Sequence, residues 1–207
     1  MSNLENEVPA KNRSSIYTVP GCGAALVICL CLFAVLIAQE SFVYITPDQR
    51  GVVLSALDPK GYRPELLGPG THWIVPFAER VRIYPIARQT YVMAAPTATN
   101  KIVGDDSIQA RTKDGRQVSA SVSVVYALDP DKIIDLNITW QERYEDELVR
   151  PQARVITREV IGQYNLVEVS GGKKAEMEQV IFERLGQVFG RNDLILLKFS
   201  IDGISFQ

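Results

Sequence analysis

Hydrophobic and polar positions divide the chain into a short polar lead, one unbroken apolar run and a long mixed region. Residues 19–38, VPGCGAALVICLCLFAVLIA, carry no charged side chain. As a helix, a run of about 20 residues reaches about 30 Å, the thickness of a bilayer's hydrocarbon core. The pattern predicts a transmembrane helix over 19–38 whose apolar residues are Val19, Leu26, Val27, Ile28, Leu30, Leu32, Phe33, Val35, Leu36, Ile37 and Ala38. A cleaved secretory signal has a shorter apolar region and ends in small residues, whereas Leu36-Ile37-Ala38 opens on a large one. Residues 1–18 are polar and lack apolar periodicity, which predicts a disordered tail.

Beyond residue 40 the pattern alternates between strand-like and helix-like periods. Strands are predicted over 42–46 and 51–57, then a Pro/Gly-rich loop over 58–70. Residues 71–93 read as two or three short, bent strands cut by Pro76 and Pro85, and 94–104 as a connector. Runs 108–113 and 116–128 flank Asp114-Gly115, the composition of a tight two-residue hairpin turn. In the second run Val118, Ala120, Val122, Val124 and Tyr126 alternate with Ser119, Ser121 and Ser123, so one face is apolar. A short helix over 130–136 is expected, capped by Asp129 with Pro130 in its first position. From 141 to 164 the period turns helical: Tyr144, Leu148, Pro151 and Val155 form a stripe, Ile156 and Val160 its flank, and Pro151 kinks or restarts the helix. A further helix over 173–189 presents Met177, Val180, Ile181, Leu185 and Val188, with Ser170 as candidate cap and Gly190 as terminator. A last β run covers 194–206. The expected class is α+β, with bent, mostly antiparallel strands in two subdomains, 41–95 and 105–207, and the helices in the second.

Charge adds little to the choice of partner: 22 basic and 24 acidic residues leave a net charge of −2, which gives no nucleic-acid signature. It does bear on orientation. Lys11 and Arg13 precede the apolar run, while Arg50 is outweighed by Glu40, Asp48 and Asp58 after it, so the N-terminus is expected on the cytoplasmic side and the domain on the other. Glu5 and Glu7 argue against a mitochondrial transit peptide. The three cysteines all lie in the apolar run. No disulfide framework is therefore available to the rest of the chain. Cys22 is a candidate for acylation or simply a small residue in a membrane helix.

Catalytic chemistry finds few footholds. His72 is the one histidine, too few for a histidine-based metal site. It lies in a Pro-Gly-x-His turn, with no nucleophile-elbow serine in the sequence. Gly68-Pro69-Gly70 is not followed by the Lys-Ser/Thr pair of a phosphate loop, and Asp105-Asp106 reads as turn chemistry. No catalytic residue, metal or cofactor is predicted. Asn137-Ile138-Thr139 matches a glycosylation acceptor, relevant only in a secretory setting. Glu142, Asp146, Arg150, Arg154 and Arg158 recur every four residues and share a helical face. They are candidates for a subunit interface in which acid meets base between copies, or for a solvated face with local pairing.

Several of these segments together resemble one family. LLGPGTHWIVPF (66–77), ITPDQRGVV (45–53) and TKDGRQVSASVSVVYALDP (112–130) are together similar to the SPFH (band 7) domain of prohibitins, stomatins, flotillins and the bacterial HflK and HflC proteins. The resemblance extends over about 41–206, and a single N-terminal anchor is most similar to the prohibitin and HflK/HflC branches. It implies a non-enzymatic membrane scaffold. Identical or paralogous subunits would form a ring or cage that organises a membrane patch and houses or restrains a membrane AAA protease. It also implies a bacterial inner membrane, or second an organellar one. The family's first half lies near the bilayer, which makes Trp73, Ile74, Val75 and Phe77 a candidate membrane-proximal loop, with a core strand as the alternative reading. In this family a long Ala/Glu-rich coiled coil follows the last strand, and none lies within residues 1–207. The rival functional readings are a membrane-anchored hydrolase using His72 and a monomeric tether presenting a binding domain.

Overall fold

The computed structural model describes residues 22–39, 41–95 and 105–206, with side chains of the first stretch described over 25–33. The polar tail, Val19, most of the connector and the side chains of Cys22, Val35, Leu36, Ile37 and Ala38 lie outside the described residues. The chain forms two compact units, Met1–Ser41 and Phe42–Gln207.

In the first unit the apolar run forms helix α1, Cys22–Gln39. Among the described residues no helix is long and apolar enough to cross a membrane; the stretch with described side chains is about half of what a span requires. Within it Leu26, Val27, Ile28, Leu30, Leu32 and Phe33 are all exposed, on every side of the helix.

The second unit is α+β, and every strand pair in it is antiparallel. Two ribbons come first: β1 (Phe42–Ile45) with β3 (Gly70–Trp73), and β2 (Gln49–Ser55) with β4 (Glu79–Pro85). A larger sheet follows around β7 (Gln117–Leu128). One edge of β7 carries β8 (Leu194–Phe206); the other carries β6 (Ile108–Arg111) and then β5 (Gln89–Met93). Although β5 falls within 41–95, it thus belongs to the sheet of the second half.

The alternation in β7 is used as its sequence predicts: Val118, Ala120, Val122, Val124, Tyr126 and Leu128 are buried. The pattern of β8 does not alternate, and two bulges explain why. They fall opposite Ser121/Val122 and Val125/Tyr126 and leave Asp202 and Leu197 out of the pairing. Each extra residue shifts the phase by one, so Leu194, Leu196, Phe199, Ile201 and Ile204 all lie opposite inward positions of β7.

Helices α2 (Ile133–Thr139), α3 (Arg150–Ile161) and α4 (Lys174–Gly190) join β7 to β8. In the core, Tyr126 meets the rings of Tyr144 and Phe189 edge-on, at 6.4 and 6.2 Å. Three local expectations are corrected. The 112–116 hairpin is not a two-residue turn: Thr112 N–H bonds the Arg116 carbonyl, Gly115 N–H bonds the Thr112 carbonyl, and Gly115 takes φ 84°. This is a three-residue loop with a bulged glycine. Asp129 does not cap α2, which starts at Ile133; its carboxylate accepts instead from Asp131 N–H. Ser170 does not cap α4 either, since its hydroxyl donates to the Val167 carbonyl.

The stripe before and in α3 is rotated from its predicted position. Residues Glu145–Val149 form a π-helical turn closed by Arg150 N–H on the Glu145 carbonyl. A π turn inserts one residue, so the buried row resumes at Val149, Ala153, Ile156 and Val160, and Val155 is left 48% exposed. Pro151, which brings no N–H, sits in the first turn of α3 just beyond. We expect Phe189→Ala to cost about 3–5 kcal/mol in denaturant unfolding, whereas Val155→Ala changes stability by under ~0.5 kcal/mol.

Candidate functional site

The first ribbon presents an aromatic face. Phe42 lies opposite Trp73 and Tyr44 opposite Thr71, which puts Phe42, Tyr44 and Trp73 on one side of the pleat. These three are 59%, 66% and 59% exposed, while Ile45 on the other side is fully buried. The turn that feeds β3 is fixed by the one histidine: His72 Nε2–H donates to the Gly68 carbonyl at 2.7 Å, across a turn in which Gly70 takes φ 124°. His72 therefore holds a main-chain turn. Leu67 extends the same anchoring, exchanging both main-chain bonds with Gly51 of β2, where a Cβ would stand 2.6 Å from Ile45 Cδ1.

From Trp73 the chain runs into a loop that ends at Phe77. Of the four residues expected to approach the membrane, Ile74 is buried and Val75 half-buried. Only Trp73 and Phe77 project outward. Phe77 is 88% exposed, with φ 67°, a backbone region costly for a side chain with a Cβ.

What holds this conformation is Glu79, a residue without a signal in the sequence. Its carboxylate is buried and fully engaged. Oε2 accepts from Val75 N–H at 2.9 Å and Arg63 Nη2 at 2.7 Å; Oε1 accepts from Arg63 Nε at 2.8 Å and Ser55 Oγ at 3.1 Å. Glu79 N–H closes the loop on the Val75 carbonyl at 2.9 Å, and Ala56 N–H ties it to Ala78 at 2.8 Å. Burial pushes this carboxyl's pKa up, but the bonds from Val75, Ser55 and Arg63 outweigh it and hold the group below the ordinary glutamate range. Exposed Leu57 and Phe77 flank the Ala56–Ala78 link.

The charged stripe has a different setting. Arg150 Nη2 reaches Asp106 Oδ1 at 2.5 Å, Arg154 Nη2 bonds the same oxygen and the Asp106 carbonyl, and Arg158 Nε donates to the Gln109 carbonyl at 2.9 Å. The three arginines thus bind α3 to the start and edge of β6. Asp106 is an ion-pair centre rather than turn chemistry; Asp105, which accepts from Ser107 N–H, keeps the turn role. Asp146 is exposed, and Glu142 only approaches Arg82 at 4.0 Å. Beside Arg158 a groove of about 520 Å³ runs along Gln109, Ala110, Arg111 and Gln117. Asn137 is buried in α2, where its Oδ1 accepts from Tyr84 Oη at 2.7 Å and Arg82 Nη1 at 3.2 Å; a glycan has no room there. Among the described residues no group of three His, Cys, Asp or Glu could hold a metal.

Two outcomes follow from the Glu79 clamp. Glu79→Gln should cost about 2–4 kcal/mol, because it leaves Arg63 and Val75 N–H without an anion. Since the folded pKa is depressed, the clamp's stability is complete above the unfolded value of about 4.3 and is lost as pH falls through the folded one; acid titration of Glu79→Gln should lack this component. Phe77→Gly should raise stability by about 0.5–1 kcal/mol through relief of the positive φ, read by thermal unfolding.

The SPFH domain / Band 7 family model matches residues 43–207. Over 150 residues, 72% of this chain and 46% of the relative, the sequence is 23% identical to prohibitin-2 of Dictyostelium discoideum. Over 133 residues, 64% of this chain and 43% of the relative, it is 21% identical to mitochondrial prohibitin complex protein 1 of Caenorhabditis elegans. The chain spans less than half the length of these curated relatives.

Proposed function

As this chain belongs to the SPFH domain / Band 7 family, we propose that it is a membrane scaffold that meets the bilayer through its aromatic edge and assembles side by side with identical or paralogous copies. The observation that carries the reading is the exposure of Phe42, Tyr44, Trp73 and Phe77 from ribbons held rigid behind them. Rings at the level of the headgroups suit the membrane–water boundary, where an aromatic body and a polar tip are both accommodated. Soluble surfaces rarely leave a cluster of large rings such as Phe42, Tyr44 and Trp73 exposed on one strand pair.

In this reading the run 19–38 is a single span, with the N-terminus on the cytoplasmic side and the domain opposite. The all-round exposure of the apolar side chains over 25–33 supports it, since such a helix otherwise needs a protein core about it. Only Glu40 and Ser41 separate α1 from β1 in sequence, so the domain's aromatic strand follows the span directly along the chain.

Lateral assembly has two supports. One relative's name places that protein in a prohibitin complex. The surface also separates exposed acids, Glu142 and Asp146, from the basic groove at Arg111 and Arg158. With Arg150 and Arg154 both held on Asp106, contact between copies would run from Glu142 and Asp146 of one to Arg158 and Arg111 of the next. The assembly would wall off a membrane patch and house or restrain a membrane AAA protease, without catalysis of its own.

The bilayer reading is tested with full-length protein in liposomes, Trp140→Phe making Trp73 the sole tryptophan. Quenching of Trp73 by lipids brominated near the headgroup is expected; a Trp73 quenched only by aqueous iodide sinks the reading. Trp73→Asp should leave the unfolding free energy within about 0.5 kcal/mol. For the lateral contact, Asp146→Arg should lower cross-linking between copies and a paired Asp146→Arg/Arg158→Glu should restore it. Equal yields in all three proteins would rule this contact out.

A further inference from the structure

A hollow of about 390 Å³ opens beside Phe77, walled by Leu54, Ala56, Gly61 and Ala78, with Arg80 at its side. Arg80 is exposed and pairs in register with Leu54. Other arginines of these ribbons are committed: Arg63 to Glu79, Arg82 to Asn137, and Arg50 to the Gln49 carbonyl. Among the described residues the Arg80 side chain makes no hydrogen bond and no ion pair. Its neighbour Glu79 points to the opposite face of the pleat and is fully occupied by the clamp.

We propose that this hollow binds the phosphate of an anionic phospholipid headgroup, with Arg80 as counter-charge and Phe77 inserted beside the acyl chains. The proposal rests on the bilayer reading of the same edge. A guanidinium matches phosphate oxygens with a planar fork of donors, and a long basic side chain next to an exposed ring reaches back to headgroup level while the ring goes deeper. The walls supply alkyl contact, which a free inorganic anion does not use. The strained loop fits the same role: Phe77 is kept at φ 67° by a buried clamp, so the ring and the hollow are in place before lipid arrives.

The test uses full-length Trp140→Phe protein in phosphatidylcholine vesicles. Energy transfer from Trp73 is measured to a trace of pyrene-labelled phosphatidylglycerol or, separately, pyrene-labelled phosphatidylcholine. The anionic probe should be enriched about fivefold near the protein, in line with one basic side chain at an anionic surface. Arg80→Ala should abolish the preference with transfer to phosphatidylcholine intact, and Arg80→Lys should keep part of it. Equal transfer to both probes overturns the headgroup assignment alone. Absence of transfer to either probe overturns it together with the bilayer reading. Loss of the preference at an inorganic phosphate concentration equal to that of the labelled lipid, with chloride at the same ionic strength leaving it intact, would make this a free-anion site and overturn the lipid assignment.

Discussion

The fold depends on strand β7. It is paired along both edges, and its inward row from Val118 to Leu128 belongs to the same core as the buried residues of α3 and α4. The inward residues of β8 keep phase with that row. At the two bulges in β8 and at the π turn before α3 the chain adds a residue and stays in phase. Both are devices that trade local regularity for continuity of the core.

The first half depends on a different interaction, the burial of one carboxylate. Glu79 gathers Arg63, Ser55 and Val75 N–H, so three separate segments converge on it. Removing water from a charge is costly and is offset only when donors surround the charge. Here the surplus holds Phe77 in a backbone conformation it would not otherwise adopt. Stability is thus committed to presenting a ring to the outside, which makes sense when something apolar receives it.

Much of this was legible in the chain. Period-two alternation marked β7, period 3.6 marked α4, and Pro76 and Pro85 marked the breaks among β3, β4 and β5, because burial on one face leaves a direct imprint on residue order. The exposed aromatic edge was legible in part. Trp73 and Phe77 project as the apolar run suggested, but Ile74 is core, and a run of apolar letters does not say which side chains turn inward. Glu79, Asp106 and Asn137 were not legible. Each acts through side chains 15 to 55 positions away, and a lone polar letter carries no trace of a distant partner. The stripe on α3 shows the same limit. Its spacing gave the shared face, whereas its arginines turn to β6 rather than to acids four residues away.

In the proposed function, an aromatic edge would set the depth at the bilayer and a charged flank the spacing between neighbouring copies. The most direct test of that account is the mass of the full-length protein extracted in mild detergent, by light scattering with the detergent contribution subtracted. The expected result is a discrete assembly of many copies, alone or with paralogous subunits. A monodisperse single copy would contradict the scaffold and leave a tether in its place.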